Sequence, residues 1–465
     1  MNPPTPRGTA SHPTGSASAP QRPPADGATG PRSRAMHAAE RDLIAPGIQR
    51  IAQLSELTLA SGHGARLVDV DGKEYLDFFA GVAVASLGHS HPRFVAALKS
   101  QIERLAVGSF TTEPRLHLMK LLAELAPGAL RRTQLFSSGA EAVEAALRLA
   151  KAYTKKHEVV GFWGGFHGKT GGVIGLIGDE WKQKWGPLPG GTYTVPYADC
   201  YRCPFQLTYP GCGMFCVDFL RQSLKATTAG MIAAVLVEPM QGTAGNVIPP
   251  PEFLPAVRDV AHDEGALLIA DEMITGFGRT GKLFGCDHTG VEPDVMTVGK
   301  GFGNGFPATG IISTDAITAA EPFSKASASS SSYGGNPLAA TAVLTTIETI
   351  LDERLVESAE RVGALLLDGL RGLKEKYEFV GDVRGAGLLI GMDLVKDRTT
   401  KQPLDREITE QVFLGALRRG LLMMGYGARI RINPPLILTE SEARDGVTIL
   451  DEVFAEIARA GRYRR

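Results

Sequence analysis

The chain is poor in the features that mark nucleic-acid-binding, membrane and disulfide-built proteins. Its 49 basic and 50 acidic residues leave a formal charge of −1, so no net field gathers nucleic acid or an anionic lipid surface. No apolar run approaches the roughly 18 residues that a membrane span requires, and the N-terminus lacks the basic-then-apolar order of a secretory signal. Cysteine is scarce, with five among 465 residues. What remains is a metabolic protein expected in the cytoplasm, long enough for two or three domains.

Large apolar residues are almost missing from residues 1–35, which are built of proline, serine, glycine and threonine. Such a segment cannot bury enough surface to repay its ordering entropy, so it is expected to be a disordered tail. Met36 is an equally good start. The tail is also poor in acids, which leaves a transit peptide open, although its prolines oppose an amphipathic helix there.

Past residue 40, short apolar runs alternate with helical stretches. RLVDVDGKEYLDF reads as a hairpin around Asp71-Gly72, and GAEAVEAALRLAKAYTKK as a helix. MIAAVLVEP, GALLIADEM and DVMTVGK are continuous apolar runs, the pattern of parallel strands covered on both faces, with PEFLPAVRDVAHDEG as a crossover helix. Helices are expected near 337–376 and 440–460, around a mixed segment 378–438. The reading is an α/β fold with a large, mainly parallel sheet and a smaller α+β domain made from the chain ends. In such sheets ligands lie beyond the carboxyl ends of the strands, which directs attention to Glu238, Asp271 and Lys300.

Four features there call for a ligand. Asp271 ends an apolar strand and continues into a glycine-rich loop, where a carboxylate needs a cation. Ser137, Ser138 and Gly139 open a helix, which makes either an anion site or an ordinary cap with Glu141 at the capping-box position. Phe166 is a flat ring ahead of His167, Gly168 and Lys169, suited to a core or to stacking on a planar ligand. Lys300 stands among glycines in DVMTVGKGFGNGFP, which has neither the G-x-x-x-x-G-K-[ST] order of a phosphate loop nor a dinucleotide fingerprint. A planar cofactor with an anionic group, a cationic ring nitrogen and an aldehyde satisfies all four, and pyridoxal 5′-phosphate has that description.

The motifs FFAGVAVASLGHSHP, SSGAEAVEAALRLAK, FHGKT, EPMQG, DEMITGFGRTG, VGKGFGNGFP and SYGGNPLAA, in this order, resemble the class III (ω-amino acid) aminotransferases of the fold-type I pyridoxal-phosphate superfamily. The resemblance runs from about residue 40 to 460 and implies a seven-stranded, mainly parallel sheet. It implies domains at 36–88 (N-terminal part of the small domain), 89–336 (large, cofactor-binding) and 337–465 (C-terminal small domain). It also implies ping-pong transfer of an amino group from an amino acid or ω-amine to pyruvate or 2-oxoglutarate. The same scaffold serves an amino-acid racemase or epimerase, or a dialkylglycine-type decarboxylating transaminase.

Residue by residue, the resemblance implies that Lys300 forms the Schiff base and moves the proton, with Asp271 on the pyridine nitrogen. Met273 and Phe166 would cover the two ring faces, with His167 and Glu238 close by. Ser138, Gly139 and Ala140 would hold the phosphate, joined by Ser332 of the partner subunit, which implies a homodimer with shared sites. Arg431 would bind the substrate α-carboxylate, and Lys169 and Val82 would line the substrate pocket. Three positions depart from the family pattern. Lys169 replaces an arginine that grips distal carboxylates, Thr243 a gating glutamate, and Ile274 a glutamine near the phenolic oxygen. Together they point away from a strict 4-aminobutyrate or ornithine enzyme.

Four cysteines, Cys200, Cys203, Cys212 and Cys216, share DCYRCPFQLTYPGCGMFC. The C-x-x-C and C-x-x-x-C spacing is open to zinc, an iron–sulfur cluster, free thiols or a disulfide. Because the expected chemistry needs no metal, none is expected. His89 and His91 in GHSHP read as parts of a structural turn.

Overall fold

Strands buried on both faces need a helix on each side, and the central run IAAVLV shows how this chain supplies them. In the computed structural model, which describes residues 27–461 and Tyr463, every residue of Ile232–Val237 is buried. Its side chains alternate. Ala234 and Leu236 join a cluster with Ala142, Val143, Ala146 and Leu149 of the helix Gly139–Thr154. Val235 and Val237 join another with Phe253, Leu254 and Val257 of the helix Phe253–Asp263. One strand thereby binds a helix to each face of the sheet.

Strands are numbered along the chain. β1 (Leu59–His63), β2 (Arg66–Asp69) and β3 (Glu74–Asp77) form an antiparallel meander, as the Asp71-Gly72 turn predicts. The large sheet contains β4 (Arg132–Phe136), β5 (Glu158–Phe162), β6 (Thr192–Val195), β7 (Ile232–Val237), β8 (Leu267–Asp271), β9 (Val295–Val298) and β10 (Thr309–Ser313). Its seven strands run in the order β4-β10-β9-β8-β7-β5-β6. Only β10 is antiparallel to its neighbours, so the expected fold class holds.

After two helices, Pro337–Asp352 and Leu355–Lys376, come β11 (Val380–Ala386), β12 (Leu389–Leu394), β13 (Leu421–Leu422) and β14 (Arg429–Ile432). β11, β12 and β14 make a three-stranded antiparallel sheet. β13 instead runs parallel to β3 and joins the two ends of the chain. The core is shared: Met296, Val298 and Ile312 of the large sheet lie in one cluster with Ile390, Met392 and Ile432. Among the described residues no helix is long and apolar enough to cross a membrane.

The tail expected over residues 1–35 falls mostly outside the described residues, and its last part is not disordered. Pro31–Arg41 is a helix. Pro31 occupies the first turn, where a missing N–H costs nothing, and the Asp71 carboxylate accepts from the amides of Arg32 and Ser33 at 3.0 and 2.8 Å. Composition pointed to disorder because the helix's anchor lies some forty residues downstream.

The β11–β12 turn docks by backbone contact. A Cβ at Gly387 would lie 2.4 Å from the Gly281 amide nitrogen, and one at Gly363 of the helix Leu355–Lys376 would lie 2.1 Å from the Gly387 carbonyl oxygen. Backbone cannot move aside as a side-chain tip can. Gly363→Ala is therefore expected to lower unfolding free energy by about 1–3 kcal/mol, measured by urea denaturation. An unchanged midpoint would contradict this packing.

Candidate active site

The candidate side chains leave the sheet at one edge because the parallel strands end there. Ser138 lies just beyond β4, Phe166 and His167 beyond β5, Glu238 directly after β7, Asp271 at the end of β8 and Lys300 just past β9. The loops that follow bring them together.

Asp271 is at the centre. Its Oδ1 accepts from Thr297 Oγ1 at 2.9 Å and from the Met273 amide at 3.1 Å, and its Oδ2 lies 2.6 Å from His167 Nδ1. Both side chains of the His167–Asp271 pair are 1% exposed, and a carboxylate so buried persists only when partnered. Burial opposes charge on each, but the hydrogen bond and mutual charge outweigh it, raising the His167 pKa and lowering that of Asp271.

Glu238 ties the turn after β5 to the one after β7. Its carboxylate accepts from the Phe166 amide at 3.1 Å and the Gly242 amide at 2.9 Å, while the Tyr197 hydroxyl meets the carbonyls of Glu238 and Pro239, each at 3.1 Å. Burial raises the pKa of Glu238, and the nearby Asp271 charge adds to the effect against the pull of His167 and the two amides.

Lys300 has a left-handed backbone, φ +47°, at the start of a tight turn. The glycines beside it are required by space. A Cβ at Gly299 would lie 2.4 Å from Met273 Sδ, and one at Gly301 would lie 2.3 Å from Ser86 Oγ. Burial lowers the Lys300 pKa; Asp271 and Glu238 oppose that shift, and Arg431 reinforces it. A less basic amine is a better nucleophile near neutrality.

Ser138 caps the helix Gly139–Thr154 in a full capping box with Glu141. Thr309 Oγ1 holds the Ser138 carbonyl at 2.9 Å. Ser138 Oγ accepts from the Glu141 amide at 3.3 Å, which leaves its own proton to donate. The amides of Gly139 and Ala140 begin the helix without intrahelical partners. Cap and anion site coexist here.

Phe166 meets Trp181 edge-on at 6.3 Å, and the Lys169 ammonium stands 4.3 Å from the Trp181 ring and 5.7 Å from Phe166. Val82 lies in a left-handed turn, with positive φ at Ala80, Gly81, Val82 and Ala83, held by Asp77 through the amides of Phe79 and Ala80. Its side chain packs toward the cluster of Ile51, Leu54, Tyr75 and Phe413, which Tyr426 also joins. Ile274 packs with Ala83, Met240 and Leu389. Arg431 projects from β14, and burial lowers its pKa against the opposing influence of Tyr426 and Glu238. Ser332 stays apart from the others: it is exposed and lines a surface cavity of about 460 Å³ with Ser109, Arg115 and Gly334.

Thr297, Thr309, Trp181 and Tyr426 escaped the sequence reading. Thr297 carried a signal, as the one hydroxyl inside the apolar run DVMTV. The cysteines are free thiols, and Cys200, Cys203, Cys212 and Cys216 border one small cavity. Among the described residues no group of three or more histidine, cysteine or acidic side chains is arranged to hold a metal. His89 and His91 bond separate carboxylates, Asp77 at 2.8 Å and Glu353 at 3.3 Å.

Do these residues suit pyridoxal phosphate? They provide an amine of lowered basicity, a permanently ionised carboxylate, a helix start with free amides and two apolar faces. Close-packed glycines complete the walls: a Cβ at Gly168 would lie 2.6 Å from Ala140 Cβ. The donor set fits, and fold and site together define a fold-type I pyridoxal-phosphate enzyme.

Comparison makes the class specific. The class-III aminotransferase family profile matches residues 50–454, and the chain belongs to that family. It is 35% identical over 423 residues to a leucine/methionine racemase of Thermococcus litoralis, covering 89% of this chain and 94% of the relative. It is 37% identical over 407 residues to an acetylornithine aminotransferase of Methanopyrus kandleri, covering 87% and 94%. The crystal structure of an amine transaminase from an uncultivated Pseudomonas species, with PLP bound, superposes with TM-score 0.84 at 31% identity, covering 89% of this chain and 98% of that one.

The buried pair predicts a pH dependence. Because His167 has a raised pKa in the folded state, its contribution to stability is complete below its ordinary value of 6.5 and disappears as pH rises through the folded value. Asp271, with a lowered pKa, stays ionised throughout. The difference in unfolding free energy between the wild type and His167→Asn is therefore expected to shrink as pH rises above the ordinary histidine value of 6.5, by denaturant titration at each pH. A difference that widens would contradict the pairing.

Proposed function

We propose that this aminotransferase works through Lys300 and Asp271, with Arg431 holding the substrate carboxylate. The observation that carries the reading is the fully buried Asp271, fixed by His167, Thr297 and the Met273 amide on the same strand ends as the Lys300 amine. Bound pyridoxal phosphate supplies an electron sink for the bonds at the substrate Cα.

The chain's own residues do the rest. Asp271 keeps a negative charge aimed at a ring nitrogen, and His167 prevents its neutralisation. Lys300 would supply the amine that holds the cofactor's aldehyde and would hold and move the proton at the substrate Cα. Ser138 and the amides of Gly139 and Ala140 receive the phosphate at the positive end of a helix dipole. Phe166 and Met273 exclude water from the ring faces, and Glu238 holds the Phe166 turn in place. Arg431 gives a planar fork for the α-carboxylate. Val82 and Lys169 border the space for the side chain, and Lys169, seated on Trp181, presents an ammonium there instead of a fork.

The separate position of Ser332 supports a homodimer in which it reaches the partner subunit's phosphate. Residues 36–88 and 337–465 would form the small domain beside a cofactor domain at 89–336, in keeping with the pairing of β13 with β3. The working compartment would be the cytoplasm. Thr243 in place of a gating carboxylate favours α-amino acids as donors, passing the amino group to a keto acid in ping-pong order.

Racemisation of an amino acid is the second reading, favoured by the 35% identity to the Thermococcus litoralis racemase. A half-reaction screen separates the two. With an amino donor and no keto acid, the transaminase is expected to convert its cofactor absorbance once and stop, whereas continuous loss of optical activity would establish the racemase. Lys300→Ala is expected to abolish turnover while cofactor still binds, and Asp271→Asn to cost several orders of magnitude in kcat/KM. Substantial activity in Lys300→Ala would overturn the assignment.

A further inference from the structure

A rigid cofactor that meets an amine at one end and an anion cup at the other needs the two held at one spacing. The sheet topology places one residue between them. β10 runs against its neighbours, so it enters the large sheet at the edge where β4 and β9 leave it. Its first residue, Thr309, pairs with Phe136, the last residue of β4, and the next, Gly310, pairs with Val298, the last of β9. Thr309 therefore stands between the turn that carries Ser138 and the turn that carries Lys300.

The two branches of its side chain reach these two turns. Oγ1 donates to the Ser138 carbonyl at 2.9 Å. The methyl lies against Gly299, where an added Cβ would be 2.9 Å from Thr309 Cγ2. Branching at Cβ restricts χ1, so the placement of one branch fixes the other. The remaining bonds of the cap stay within its own helix: the Ser138 carbonyl also accepts from the Ala142 amide at 3.2 Å, and the Glu141 carboxylate accepts from the amides of Ser137 and Ser138 at 3.0 and 2.9 Å. They shape the cap without setting its distance from the lysine. Met273 touches both sides, its Sδ 3.5 Å from a Cβ built at Gly139 and 2.4 Å from one at Gly299, but an unbranched thioether adapts to its surroundings and fixes no spacing.

We propose that Thr309 is a positioning residue that sets the spacing between the helix start receiving the phosphate and the Lys300 turn, through its hydroxyl on Ser138 and its methyl on Gly299. The proposal rests on the reading above in which Ser138, Gly139 and Ala140 receive the phosphate. A buried threonine that merely satisfied its own hydroxyl would stabilise the fold and leave the binding of a phosphate group no different from that of the rest of the cofactor.

Thr309→Val keeps the branch and the methyl and removes the hydroxyl. The Ser138 carbonyl retains its Ala142 partner, so no buried acceptor is orphaned and the variant is expected to fold. Equilibrium dialysis of the full-length chain against pyridoxal phosphate is expected to show a Kd about fivefold higher than wild type, the equivalent of one lost hydrogen bond. Dialysis against pyridoxal, which lacks the phosphate, is expected to show an unchanged Kd. Thr309→Ser restores the hydroxyl and is expected to recover most of the phosphate-dependent affinity. An unchanged Kd for pyridoxal phosphate in Thr309→Val, an equal loss for both ligands, or no recovery in Thr309→Ser would overturn the proposal. Ser138→Ala run in parallel separates the two ideas: a ratio of the two Kd values altered by Ser138→Ala and untouched by Thr309→Val overturns the proposal alone, whereas a ratio untouched by both overturns the phosphate reading with it.

Discussion

The site depends on the burial of one carboxylate beside one imidazole. Asp271 and His167 are almost completely removed from water, and neither charge would survive there alone. Together they fix a permanent negative charge at the end of β8. Thr297, aligned with Asp271 in the β8–β9 register, and the Met273 amide satisfy the remaining oxygen. Burial lowers the basicity of Lys300 against the pull of Asp271 and Glu238, and raises the pKa of Glu238, while His167 keeps Asp271 ionised.

Parallel topology makes such a cluster possible. Five separate strands end at the same edge, each contributing one side chain or turn. The loops that follow then need backbone geometry more than side-chain bulk. Met273 leaves no room for a Cβ at Gly299, and Ser86 leaves none at Gly301. Lysine at position 300 can therefore occupy a left-handed turn only because its neighbours are bare. The cost of an L-residue at positive φ is of order 1–2 kcal/mol, small beside the packing that would be lost by moving the turn.

Much of this was legible in the sequence, and the reason differs from element to element. β7, β8 and β9 were visible because strands buried on both faces carry no polar interruptions. Asp271 and Lys300 stood out because charge at the end of such a run is costly. The helix Pro31–Arg41 was hidden because its cap, Asp71, comes from the distant β2–β3 turn. The His167–Asp271 bond spans more than a hundred residues, and local pattern could mark each partner but not their meeting.

The same comparison bears on substrate preference. Lys169 and Arg431 are the two cations proposed for the cleft, and they are held differently. Lys169 rests on the face of an indole that is about half exposed, where a cation keeps most of its hydration and contributes little selectivity. Arg431 is largely buried, with the Glu238 carboxylate acting on it, so on the proposed reading a carboxylate there would meet a less hydrated fork than a surface arginine offers. Selectivity in this enzyme should therefore be steep for the carboxylate next to the reacting carbon and shallow for groups at the far end of the substrate. A chain with arginine at position 169 and a gating glutamate at 243 would reverse that order.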